Sequence, residues 1–140
     1  MRSTADIPLP AGVTMKPGET VLVNYADGVV THTAITASCT STSSAQTPYK
    51  ESGYAWSYHD HHLSAGCAGG TSVNGLLETK ATIGWTARDF ETVTVDPNSS
   101  MYWATDAKCK GSSNTSWHGL NSIGSSVTAQ SATKTLACSV

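Results

Sequence analysis

The sequence predicts an all-β domain: a disulfide-stabilised antiparallel β-sandwich of immunoglobulin-like or related type, with a β-barrel as the alternative. Three observations predict it. Turn-forming residues divide the chain into roughly seven short runs with strand alternation, and no run carries a convincing helical period. The cysteines number four, an even count, with no CxxC spacing of the zinc or redox kind. Charged residues make up 13% of the 140-residue chain, while Ser and Thr supply 39 positions. A surface built from hydroxyls rather than charges is common in extracellular β-proteins, and the charged share here is about half the usual one.

Residues 1–18 read as an extended arm, because Pro8, Pro10 and Pro17 fix φ and remove backbone donors. Residues 19–140 read as a single domain. Its first element is a hairpin over 19–39, ETVLVNYADGVVTHTAITASC, turning at Asp27-Gly28. That turn pairs Tyr25 with Val30, Val23 with His32 and Val21 with Ala34 on one face. Leu22, Val29, Ile35 and Cys39 fall on the other, and His32 is expected to be a buried or half-buried, hydrogen-bonded histidine. Residues 39–53 read as a loop by composition. GYAWSYHD follows as a strand, with Tyr54, Trp56 and Tyr58 on one face and Ala55, Ser57 and His59 on the other.

Residues 65–75 are a second loop. LLETKATIGWTA, 76–87, reads as one strand with Leu77, Thr79, Ala81, Ile83 and Trp85 inward and Glu78, Lys80 and Thr82 wet. FETVTV pairs with it after a connection at Arg88-Asp89. Asp96-Pro97-Asn98 is a turn, and SMYWATDA a strand. Residues 110–126 read as a long polar loop with room for one helical turn, and 127–140 as the closing strand.

Sequence alone leaves three disulfide pairings open. The local one, Cys39–Cys67 and Cys109–Cys138, closes two loops of nearly equal length and is the expected arrangement. Disulfides point to an oxidising compartment, so the chain is expected to be secreted. Lys and Arg total eight and are scattered, which argues against nucleic acid as a partner. No apolar run reaches the length of a membrane span.

The densest chemistry is SYHDHHLSAGC, 57–67. His59 and His61 share one face of an extended strand and His62 the other, so these three are the candidate metal ligands. The spacing matches no HExxH or Cys₂His₂ pattern, and a strand end running into a disulfide-fixed polar loop is the expected structure. No cofactor is implied, and no nucleophile elbow or distinctive carboxylate pair marks an active site.

The functional expectation is therefore a small secreted, non-catalytic interaction module: an adaptor or subunit of an extracellular assembly, a toxin component or an inhibitor. Ile7, Leu9, Val13 and Met15 are apolar on the arm and would present one face to a protein partner by strand addition. A carbohydrate-binding module is the alternative, with Trp56, Tyr58 and an exposed Trp117 offering flat amphipathic faces. Trp85 and Trp103 are expected in the core. A metalloprotein or enzyme using the His59–His62 cluster is the third reading.

Overall fold

The structure is a computed structural model that describes residues 9, 12, 14–25 and 28–140; the side chains of Asn24 and Tyr25 are outside the description. Eleven strands follow in chain order among these residues. They are β1 (Thr20–Tyr25), β2 (Gly28–Ala34), β3 (Thr40–Ala45), β4 (Tyr49–Glu51), β5 (Tyr54–Leu63) and β6 (Thr71–Lys80). β7 (Trp85–Val95), β8 (Ser99–Lys108), β9 (Gly111–Ile123), β10 (Ser126–Gln130) and β11 (Lys134–Ser139) complete the set. No described residue is helical, and no helix is long and apolar enough to cross a membrane.

Two antiparallel sheets form the sandwich. In the first, β1, β2, β3 and β5 pair in that order and β8 closes the far edge. β4 lies on the same side of β5 as β3, so the two act as one interrupted strand. In the second, β7, β6 and β9 pair in order, and β10 and β11 share the remaining side of β9. The Asp96–Asn98 turn carries the chain from β7 to β8 and so from one sheet to the other; Asn98 takes the left-handed φ of 59° that such a turn requires.

Both expected disulfides are present, Cys39–Cys67 and Cys109–Cys138. Each belongs to one of two apolar clusters. Cys39, Leu63, Cys67, Val73 and Val95 pack at one end of the sandwich, and Ala55, Leu77, Trp117, Leu136 and Cys138 at the other. The middle is polar. Along the inner face of β5, Ala55 and Leu63 bracket Ser57, His59 and His61, all three buried. β9 places Asn121 between Trp117 and Ile123, and β6 places Gly75 between Val73 and Leu77.

Several expectations change. The β1–β2 register pairs Tyr25 with Gly28, Val23 with Val30 and Val21 with His32, two residues from the expected one. Gly28 belongs to the strand, and the connection at Ala26 and Asp27 lies outside the described residues. Because a strand repeats every two residues, a two-residue shift preserves the faces: Val30, His32 and Ala34 are buried together. His32 is a hydrogen-bonded histidine as expected, with Nδ1 3.1 Å from the Thr42 hydroxyl.

The stretch 39–53 is not a loop. β3 is a strand of Ser, Thr and Ala, buried because β2 and β5 flank it and satisfy its backbone. The 65–75 segment is likewise a loop only to Gly70, where β6 begins. The hairpin after β6 turns at residues 81–84 rather than at Arg88-Asp89. Gly84, at φ 73°, supplies the turn, and Ile83 projects into solvent at 92% exposure instead of facing inward. Residues 111–123, expected as a polar loop, are the long strand β9 at the centre of the second sheet. The 127–140 segment is two strands, not one.

Candidate binding face

One face of the first sheet gathers five aromatic side chains at its β4–β5–β8 side, while toward β3 and β2 the same face carries the buried Asp60, Ser44 and Val30. Alternation on β5 sends Ala55, Ser57 and His59 inward and Tyr54, Trp56 and Tyr58 outward, as the sequence implies. Pairing then sets Tyr49 opposite Trp56 from β4 and brings Tyr102 from β8 diagonal to Tyr58. The Tyr58 and Tyr102 rings lie 5.4 Å apart with planes 6° from parallel, and Tyr49 and Tyr58 lie 6.3 Å apart at 15°. Tyr54 and Trp56 meet at 5.9 Å and 46°. Trp56 is held by a bond from its Nε1 to the Glu51 carbonyl, 3.2 Å. These rings are half-buried, except Tyr102, which is 50% exposed.

Burial raises the Tyr49 hydroxyl to about 12, helped by a hydrogen bond and repulsion from Tyr58 and by the Glu51 charge. Tyr102 is raised as well, by burial first and then by Tyr58 and Asp60. Both tyrosines therefore stay neutral donors at any ordinary pH.

Trp56 and Tyr58 thus stand together. Trp117 does not join them: it is 0% exposed, in the core of the other sheet, with Nε1 donating to the Cys138 carbonyl at 3.1 Å. Its Ser, Asn and Gly neighbours suggested a loop, but they belong to a central strand whose inward positions are covered by the facing sheet. Trp85 and Trp103, expected in the core, are half-buried; Trp85 lies against His118 with ring centroids 3.7 Å apart.

The histidines do not converge. His59 and His61 point into the sandwich, whereas His62 faces outward with Nδ1 2.8 Å from the Ser100 hydroxyl. No group of three metal-type side chains occurs among the described residues. Nor do they form a wet loop, since β5 continues to Leu63 and buries both inner imidazoles. Both ring nitrogens of His59 are engaged, 2.7 Å from the Asn121 side-chain oxygen and 2.7 Å from the Thr105 hydroxyl. Neither nitrogen of His61 has a hydrogen-bond partner. Burial lowers the pKa of each imidazole to about 4.

On the arm, Leu9 and Met15 are half-buried, while Ile7 and Val13 lie outside the described residues. Gly18 donates to the Ala34 carbonyl at 2.6 Å, which ties the entry of β1 to the end of β2.

Two other concavities stand out less. An open cleft of about 530 Å³ beside Cys39–Cys67 is lined mainly by Gly, Ala, Ser and Thr, with Ile35 and Leu63 the large apolar members. A shallower groove of about 230 Å³ between β1–β2 and β10 is flanked by Leu22 and Val127. The aromatic row on the first sheet has the richer recognition chemistry. Tyr49 and Tyr102 extend it beyond what the sequence identifies, since only the pairing of β4 and β8 with β5 brings them there.

No family model matches the chain, and no curated protein does. Two solved structures of a β-glucosidase from Kluyveromyces marxianus, one labelled with selenomethionine and one in complex with glucose, are similar at 9% identity with TM-scores of 0.49 and 0.48. The matches cover 67% and 70% of this chain, and the chain spans 14% of the length of each of those structures. A similarity of that size carries no statement about what this chain binds.

Proposed function

We propose that this chain is a secreted interaction module, an adaptor or subunit of an extracellular assembly, that engages a protein partner. The observation carrying the reading is the row Tyr49, Tyr58 and Tyr102 with Tyr54 and Trp56 on one outer sheet face. Tyrosine and tryptophan offer large, rigid contact area at low entropic cost, and protein interfaces are enriched in both. Their neutral hydroxyls add hydrogen-bond capacity at the rim. Two disulfides are compatible with an extracellular setting. The arm residues Ile7, Leu9, Val13 and Met15 remain the proposed second contact, by strand addition to the partner.

A carbohydrate-binding module is the second reading, favoured by the same near-parallel rings. One experiment separates them. The wild-type chain and a Tyr58→Ala/Tyr102→Ala variant are each immobilised and exposed to the source organism's culture fluid and to a panel of insoluble polysaccharides. The interaction reading expects a discrete protein retained by wild type and lost by the variant. Retention on a polysaccharide alone, lost in the variant, would establish the sugar reading instead.

A further inference from the structure

Three of the chain's eight lysines and arginines, scattered in sequence, converge in one cleft of about 370 Å³. Arg88, Lys108 and Lys110 line it with Ala107, Val140 and one acidic side chain, Asp106. The three cations are exposed and Asp106 is half-buried. None of the three takes part in an ion pair, since the one ion pair among the described residues joins Glu78 to His118. Arg88 is placed there by a break in the ladder. Leu77 pairs with Asp89 and Glu78 with Ala87, so Arg88 is the extra residue of a β-bulge in β7. A bulge re-aims the side chain it carries. Here Arg88 donates from Nε to Thr79 Oγ1 at 2.8 Å, and Thr79 is buried. That bond orients the guanidinium and leaves its two terminal NH₂ groups for a ligand. Next along β7, Asp89 Oδ2 accepts from the Asp106 backbone N at 2.9 Å, which fastens β7 to β8 and sets Arg88 beside Lys108 and Lys110.

We infer that this cleft takes an acidic segment of the protein partner, whose side-chain carboxylates seat on Arg88, Lys108 and Lys110. The side chains of the cleft carry an excess of positive charge, on a chain whose net charge is -2. A carboxylate relieves the repulsion among the three cations, and the open edge of the Arg88 fork matches its two oxygens. A guanidinium already held by Thr79 loses less freedom on binding. Asp106 discriminates among anions, because its charge opposes a dense dianion such as phosphate or sulfate more than a single carboxylate. The cleft also adjoins the aromatic row: Asp106 stands directly opposite Trp56 and Lys108 opposite Tyr54, so one extended partner can engage both.

The inference rests on the reading of the chain as a protein-interaction module, and the test separates the two. The full chain is titrated with two synthetic peptides, identical except that a central pair is Glu-Glu or Gln-Gln, and with a sulfated polysaccharide. Binding is followed by NMR shifts of the Ala107, Lys108 and Lys110 amides. The Glu peptide is expected to bind roughly tenfold or more tighter than the Gln peptide at low salt, with the advantage shrinking as salt rises. Arg88→Gln should remove most of that advantage, and Arg88→Lys, which keeps the charge without the fork, should restore only part of it. Where Arg88→Gln fails to fold, Lys108→Gln/Lys110→Gln, altered only at exposed side chains, carries the same expectation. Equal binding of both peptides, binding of neither, unchanged Glu-peptide affinity in these variants, or shifts with the sulfated polysaccharide alone would overturn the acidic segment. Capture of the same culture-fluid protein in equal yield by wild type and by Lys108→Gln/Lys110→Gln would also reject the cleft while leaving the module reading in place. A Glu preference with no protein captured would keep the carboxylate site and reject the module.

Discussion

His59 donates from Nδ1 to the side-chain oxygen of Asn121 at 2.7 Å, and that bond joins the two sheets through the middle of the sandwich. The Asn121 amide nitrogen faces three acceptors, Ser44 O at 2.8 Å, Ser43 Oγ at 2.9 Å and Asp60 O at 3.2 Å. Its oxygen is thereby left for the imidazole. Nδ1 must then carry the proton, and Nε2 accepts from Thr105 Oγ1. A directional network of this kind adds registration specificity to the packing of the two sheets, because any slip would leave its buried members unsatisfied.

Replacing either partner leaves the other buried and unsatisfied. Asn121→Leu and His59→Leu should each lower stability by about 2–4 kcal/mol. The double variant should cost less than the two singles summed, because it removes both orphaned groups. Urea denaturation of the four proteins measures the coupling, and strict additivity would show that the bond contributes nothing of its own.

Acid should weaken the fold well before the carboxylates titrate. The unfolded chain protonates His59 and His61 near their ordinary value of 6.5, while the folded chain resists until about 4. The stability that neutral burial carries is complete above about pH 6.5 and is lost as pH falls toward 4, on the order of 3 kcal/mol for each histidine. The nearby Asp89 charge offsets part of this at His59, and His62 adds to it at His61. His61→Leu should flatten the profile between pH 7 and 4.5; an unchanged slope would exclude His61 as a contributor.

Gly75→Ala should destabilise by about 1–3 kcal/mol, although alanine suits a strand better than glycine. A Cβ at that position would run into the Trp103 indole nitrogen and the His59 ring. Thermal melting tests it, and a neutral result would mean that Trp103 swings aside.

Removing the Cys39–Cys67 bridge by a double alanine substitution should cost roughly 3–4 kcal/mol. The cysteines are 28 residues apart, and the bridge also fills the apolar end cluster with Leu63, Val73 and Val95. The Cys109–Cys138 pair, 29 apart, should cost a similar amount on chain entropy. A Tm unchanged by either pair of substitutions would contradict the chain-entropy account.

The sequence displays those features whose physics is local. The alternation of Tyr54, Trp56 and Tyr58 is legible because a strand of mixed burial repeats every two residues, and the disulfides because nearby cysteines close short loops. The strands β3 and β9 are not legible. Thr40–Ala45 and Gly111–Ile123 look like loops by composition, and only neighbours on both sides make them strands. Trp117 is misplaced for the same reason, since its surroundings in sequence are polar while its surroundings in space are Leu77, Leu136 and Cys138. The Tyr58–Tyr102 pairing spans two strands that sequence adjacency does not connect, so the full aromatic row emerges only from the fold.

The two bridges also fix how tension would travel through the molecule. A pull transmitted along the backbone from β11 reaches Cys138 and crosses directly to Cys109, bypassing β9 and β10. Between Cys39 and Cys67 the same shunt spares β3, β4 and the whole of β5. The strand that positions Tyr54, Trp56 and Tyr58 therefore lies inside a covalent bypass, and a module tethered between two larger bodies would keep these three rings and Tyr49 off the line of force, while Tyr102 on β8 stays on it.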